Sequence, residues 1–176
     1  MDSLVQPEDM PRIPGVVIPR DFYWVLRQPA PLAGMSYPSP PPPWSAIAAA
    51  GFRHVVCLTD DEVRYDAAPL TIAHAVELED LVHGGPPQDP ENEEHRIRQA
   101  VGVAVTKLSV GEGVLVHCAG GTGRTGTLIG CLLRVLGYPS SQVLTYLHSL
   151  NKARGMTAWP GSGWQIELFE RFRSDS

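Results

Sequence analysis

Apolar residues in this chain follow two rhythms, and the switches between them mark the elements. Short apolar or β-branched runs bounded by turn formers read as strands. They are Phe22-Tyr-Trp-Val-Leu26, Leu32-Ala-Gly34, Phe52-Arg-His-Val-Val-Cys-Leu-Thr59, Ala73-His-Ala-Val-Glu-Leu78, and the run from Val114 into His117. Helical spacing governs the rest. Trp44 to Ala50 forms a first helix, closed by Gly51. A second starts near Pro90 with acids in its first turn, where the helix dipole favours them, and Ile97, Val101, Val105 and Leu108 mark its buried stripe. Thr127 to Leu136 reads as a buried helix stopped by Gly137. Pro139-Ser140 caps a further helix with the stripe Val143, Leu144, Leu147 and Leu150, ending at Gly155. Trp164 to Phe172 closes the chain. A helix leading into a strand at Phe52 opens an α/β unit.

The polar stretches set the organisation. Pro7, Pro11, Pro14 and Pro19 discourage a helix over residues 1–21, which read as an irregular segment ahead of a domain spanning 22–176. Pro38-Ser-Pro-Pro-Pro-Pro43 has the composition of a polyproline ligand, but a rigid connector into the first helix is the simpler reading. At 176 residues, one domain has room for a real core without disulfides. Three widely spaced cysteines fit a reducing cytoplasm better than a disulfide framework. A formal charge of −5 argues against nucleic acid or an anionic membrane as partner. No apolar run approaches the ~18 residues of a spanning helix, and the first residues lack the pattern of a signal peptide, so secretion is not expected.

The chemistry concentrates at Val114-Leu-Val-His-Cys-Ala-Gly-Gly-Thr-Gly-Arg-Thr-Gly126. A strand that feeds a glycine-rich loop and then a helix points backbone N–H groups into one hollow at the positive end of the helix dipole. Cys118 stands at its floor and Arg124 at its rim. Helix N-termini and nearby cations favour the thiolate, the nucleophilic form of a cysteine. Amides and a planar guanidinium also bind the oxygens of a phosphate. Gly120, Gly121 and Gly123 let the loop curl tightly, with Ala119 and Thr122 completing it. A Walker-type nucleotide loop is excluded, because Gly126 is followed by Thr127 and Leu128 rather than by lysine. None of the six histidines has metal-ligand spacing with a partner and there is no Cys-x-x-Cys, so neither metal nor cofactor is expected.

His117-Cys118-x5-Arg124-Thr125-Gly126 between a strand and a helix resembles the signature loop of the protein tyrosine phosphatase superfamily. The compact size, Phe22-Tyr-Trp-Val and Leu32-Ala-Gly34 look most like a small, atypical dual-specificity phosphatase. The resemblance implies a single α/β domain with a central, mostly parallel sheet, helices on both faces, and the site at a strand's C-terminal end. It implies a cysteinyl-phosphate route in which Cys118 attacks, Arg124 and residues 119–123 hold the phosphate, and Thr125 hydrogen-bonds the sulfur. An aspartate should protonate the leaving group. Asp80, after a strand and before a Pro-Pro loop, is favoured over Asp89, which helix capping explains, and over Asp60 or Asp61. Gln165 resembles a water-positioning glutamine, against a plain exposed helix residue. His117 is expected to buttress the loop through backbone hydrogen bonds. Cys57 is either a redox partner for Cys118 or a small core residue, and Lys152 and Arg154 read as solvated charges at a helix end. The expected substrate is a phosphorylated protein, phosphotyrosine first and phosphoserine or phosphothreonine second. Phosphoinositide is disfavoured by the uncharged loop positions, RNA 5′-phosphate by the net acidity, and a phosphopeptide-binding module by the presence of both cysteine and arginine.

Overall fold

The structure, a computed structural model, describes residues 4–156 and 159–173. Residues 1–3 and 174–176, the outer ends of the two predicted units, lie outside them. Strand β1 (Phe22–Leu26) pairs antiparallel with β2 (Leu32–Met35), as expected of two strands joined by a tight turn. Helix α1 (Trp44–Ala49) then carries the chain to β3 (Phe52–Cys57), and a long loop leads to β4 (Thr71–Ala75). Helix α2 (Pro90–Ser109) returns the chain to β5 (Gly113–His117), which inserts between β2 and β3, parallel to both. Helices α3 (Gly123–Val135), α4 (Ser140–Ala153) and α5 (Gly163–Arg171) follow. The sheet order is β1-β2-β5-β3-β4, with every pairing but the first parallel.

Helices cover both faces, which is why the strands read as continuous apolar runs rather than as alternating ones. Val56, Val114 and Val116 point to one face, into a core with Leu128, Leu132, Leu147 and Phe169 from α3, α4 and α5. Val55 and Leu115 point to the other, into a second core with Ile47 of α1 and with Val5 and Ile13 of the N-terminal segment. Each such side chain contributes about 1.5–3 kcal/mol on burial, and β5 is buried along its whole length. The loop after Cys118 therefore hangs from a strand buried along its whole length and paired on both edges. The N-terminal segment is irregular apart from a short 3-10 turn (Pro7–Asp9). It lies against β1 through a bridge from Leu4 to Leu26.

Several boundaries differ from those the sequence suggests, among them the end of β3 at Cys57 rather than Thr59. β4 starts at Thr71 because that residue pairs with His54, and it stops at Ala75. Val76 and Leu78 still donate backbone hydrogen bonds to Cys57 and Leu58, so the chain stays extended to the predicted end without being strand. α3 begins four residues early, at Gly123, so Arg124 sits in its first turn. Glycine's weak helix propensity at 123 and 126 hides this start. Gly126 is required there by packing, since a Cβ would lie 2.9 Å from Cδ1 of Trp159. Pro139, not Ser140, is the N-cap of α4, and it supplies no side-chain cap. Among the described residues no helix is long and apolar enough to cross a membrane.

Candidate active site

His117 ends β5, and the next residue, Cys118, is 2% exposed at the floor of the loop that leads into α3. The shape of this loop follows from where its carbonyls go. Cys118 O accepts from His117 Nδ1 at 3.1 Å, and Ala119 O accepts from the Tyr37 amide at 2.8 Å. Gly120 O accepts from Arg154 Nη2 at 3.1 Å. Gly121 O accepts from the Tyr23 hydroxyl at 2.7 Å and from Arg154 Nη1 at 3.0 Å. Thr122 O accepts from the Gly126 amide at 2.9 Å, inside the first turn of α3. In a planar trans peptide the N–H points opposite to the C=O. Drawing the carbonyls outward turns the following amides inward and builds an anion nest.

Two contacts make glycine obligatory at the back of the loop. Gly121 has φ +73°, and a Cβ there would lie 2.6 Å from the carbonyl group of Met35. The end of β2 thus presses directly on the loop, and Gly121 packs outward rather than lining the cleft.

A cleft of about 250 Å³ opens over Cys118. It collects Asp80, Cys118, Ala119, Gly120, Thr122, Gly123, Arg124, Gly161 and Gln165, with Leu81, Val82 and Met156 forming apolar walls. Arg124 donates through Nη1 to Leu78 O at 3.3 Å, and its Nη2 stands 3.9 Å from Asp80 Oδ2. Asp80 is 61% exposed along its side chain, and Arg124 is 14% exposed. Asp80 Oδ1 accepts from the Val82 amide at 3.1 Å. The other candidate acids lie elsewhere. Asp89 caps α2 by accepting from the Asn92 amide, and Asp60 and Asp61 line a separate acidic hollow. Thr125 is fully buried, and its hydroxyl has no hydrogen-bond partner among the described residues, so the expected bond to the Cys118 sulfur is not formed here.

Gln165 lines the cleft, and burial corrects the alternative reading of it as a plain exposed helix residue. It is 3% exposed and forms a capping box with Ser162, its Oε1 accepting from the Gly161 amide at 2.8 Å and the Ser162 amide at 3.3 Å. Its NH2 end is what it has left for a ligand. The Ser-x-x-Gln spacing that marks such a box was present in the sequence. Arg154 is the larger correction. Far from being a solvated charge, it is 4% exposed and stacks 4.3 Å from the Tyr23 ring centroid. It ties the loop to the carbonyls of Pro19 and Arg20 and to Asn151 Oδ1. Lys152 is exposed as expected.

Glu93 sits in the first turn of α2, where the sequence places acids, but it is turned inward. It is 8% exposed, and Oε2 accepts from the Glu79 amide at 2.9 Å, beside Asp80. Burial raises its pKa above the usual carboxylate value. Cys57, in register with His117, shares its pleat on the face carrying Tyr65, and its Sγ lies 3.4 Å from Thr59 Oγ1. Cys118 packs in the core of the opposite face, and both thiols are free.

His117 makes the backbone hydrogen bond expected of it. Since a carbonyl only accepts, Nδ1 carries the proton, and Nε2 of the neutral ring accepts from the Tyr65 hydroxyl. Burial lowers its pKa from 6.5 to about 4. The unfolded chain therefore takes up a proton near pH 6.5 that the folded chain refuses, and stability falls as acid is added. Denaturation followed from pH 7 to pH 4 should lose on the order of 3 kcal/mol through this group. His117→Asn should flatten that part of the profile.

Comparison with known proteins gives the same picture. Residues 19–160 match the family model for the DSP-PTPase phosphatase domain of PTP-SAK, the Swiss Army Knife proteins. A stretch of 79 residues, 44% of the chain, is 30% identical to the tyrosine-protein phosphatase CDC14 of Candida albicans but spans only 14% of that protein. Human DUSP28 shares the fold with TM-score 0.59 at 17% identity, over 79% of this chain and 90% of its own. PTPMT1 in complex with PI(5)P gives 0.57 at 14% identity, covering 80% and 88%. TpbA of P. aeruginosa in complex with pTyr gives 0.52 at 14% identity, covering 84% and 87%. A cysteine-bearing loop on the central strand, inside a domain matched over residues 19–160, places this chain in the DSP-PTPase phosphatase family, as a small atypical dual-specificity phosphatase of the protein tyrosine phosphatase superfamily.

Proposed function

We propose that the chain hydrolyses phosphotyrosine monoesters, with phosphoserine and phosphothreonine as secondary substrates, through a cysteinyl-phosphate. The observation that carries this reading is that Asp80, Cys118 and Arg124 line one cleft. The sulfur of Cys118 forms a bond to phosphorus as the ester P–O bond breaks. Arg124 and the inward amides hold the non-bridging oxygens, and Asp80 gives its proton to the departing oxygen. Water then attacks phosphorus, gives a proton back to Asp80, and the sulfur leaves. Tyrosine's pKa near 10 makes that first proton valuable even for an aryl ester. Positioning and fixed charge supply most of the rate.

The walls favour an aryl monoester over a polyanion. Arg124 is the one cation lining the cleft among the described residues, and Leu81, Val82 and Met156 offer apolar surface to a ring. Solved structures of this fold carry PI(5)P in one case and pTyr in another, so the fold alone does not choose. The single positive charge supports the second.

The test is Asp80→Asn. Hydrolysis of a phosphotyrosyl peptide should drop by about 10²–10⁴, and hydrolysis of an ester with a better leaving group by less. Wild-type behaviour from Asp80→Asn with a loss from Asp89→Asn would reassign the acid. A peptide, inositol phosphate and RNA 5′-phosphate panel on the wild type tests the substrate class. Binding without release of phosphate would instead mark a recognition module.

A further inference from the structure

We propose that Gly161 is a positioning residue for the acid: its missing side chain lets the loop carrying Asp80 seat against the segment before α5. This rests on reading Asp80 as the acid.

The Asp80 loop is held by polar contacts on one side and by close packing on the other. On the polar side, Leu78 O accepts from Arg124, the Glu79 amide donates to Glu93, and the Gln88 amide donates to the Glu79 carboxylate at 2.8 Å. Its tip is a turn in which the Gly84 amide donates to Leu81 O at 3.0 Å. On the packed side stands Gly161. A Cβ there would lie 3.0 Å from Leu81 O, 3.2 Å from Leu81 C and 3.4 Å from Val82 Cα. All three are backbone atoms, which cannot swing aside as a side chain would. Gly161 is not in the left-handed region, so what a side chain there would meet is close packing, which obliges Leu81 and Val82 to give by a few tenths of an ångström, and not backbone strain. Nor can Gly161 easily retreat, since its amide is held by Gln165 Oε1. Pushing Leu81 and Val82 away displaces Asp80 too, because the Val82 amide holds Asp80 Oδ1. Gly163, two residues on, has nothing within 4 Å of its Cβ position and serves as the internal control.

A misplaced acid slows only esters that need its proton. A shift on the scale of 1 Å costs up to about 10²-fold. The experiment compares a phosphotyrosyl peptide with p-nitrophenyl phosphate, whose phenol leaves more readily. Gly161→Ala and then Gly161→Val should lower kcat on the peptide progressively, up to about 10²-fold. The p-nitrophenyl phosphate rate should fall less, and Gly163→Ala should match wild type. Asp80→Asn added to Gly161→Val should cost much less than it does alone, because the two changes remove one function. An unchanged ratio of the two rates in Gly161→Val, alongside a changed ratio in Asp80→Asn, overturns this inference alone. An unchanged ratio in Asp80→Asn overturns the assignment of the acid and this inference with it. Should the valine variant not fold, Gly161→Ala carries the test, with binding of inorganic vanadate at wild-type strength showing that the loop at 118–124 is intact.

Discussion

Cys118→Ser should abolish turnover while leaving a protein that still binds phosphate esters. A serine hydroxyl is not ionised near neutrality, and the neighbouring histidine offers no base to activate it: His117 turns Nδ1–H toward the Cys118 carbonyl and Nε2 toward Tyr65. The covalent route closes, and the rate should fall by about 10⁶-fold or more, the lower end of what enzymes gain over the uncatalysed reaction. The amide nest and Arg124 do not depend on the sulfur, so calorimetry with a phosphotyrosyl peptide should show the variant still binding. The wild type, quenched in acid during turnover of a labelled ester, should carry label on Cys118. Quenched wild type without label at that sulfur would end the cysteinyl-phosphate reading.

Arg154→Met should be the most damaging change away from the cleft. The methionine fills much of the same volume and keeps contact with Tyr23, but it leaves Gly120 O with only the 3.4 Å contact from the Thr122 hydroxyl and takes the guanidinium away from the carbonyls of Pro19 and Arg20. These acceptors are only part-buried and water can reach them, so the loss of stability should be about 1–3 kcal/mol. Stacking of the guanidinium on Tyr23 is lost as well, worth about 0.5–2 kcal/mol. The effect on rate has a separate cause. With Gly120 O released, the peptide that follows is free to rotate, and its amide no longer faces the phosphate. A fall in kcat of about 10²-fold is expected even where the variant is fully folded. Arg154→Lys distinguishes fork from charge, because a point ammonium cannot span Gly120, Thr122 and Arg20 at once. It should recover stability better than rate.

What could be read from the sequence was local. His117, Cys118, Arg124 and Thr125 stand within nine positions of one another, and strand, loop and helix follow the chain, so spacing alone placed the nest. The strands were legible because both faces are covered and their apolar runs are unbroken. Asp80 was legible from its position just past a strand, though its nearness to Arg124 was not. The supports were hidden for one physical reason: each acts by a side chain on distant backbone. Arg154 reaches carbonyls more than thirty residues away and Tyr23 reaches Gly121 across 98, and neither contact leaves a period or a motif. Glu93 looked like any acid in a first turn, because the dipole and the Glu79 amide ask for the same residue type. Gln165 differs, since Ser162-x-x-Gln165 is a readable capping signature.

The arginine that shapes the nest follows the loop by thirty residues, and part of what it grips, Pro19 and Arg20, was made about a hundred residues before the loop. On the ribosome the loop at 118–124 emerges while this clamp is still to be translated, so a nascent chain ending at α3 carries Cys118 on a loop whose carbonyls are not yet gripped. The final shape of the loop thus arrives late in synthesis, with α4 rather than with the strand that bears the cysteine.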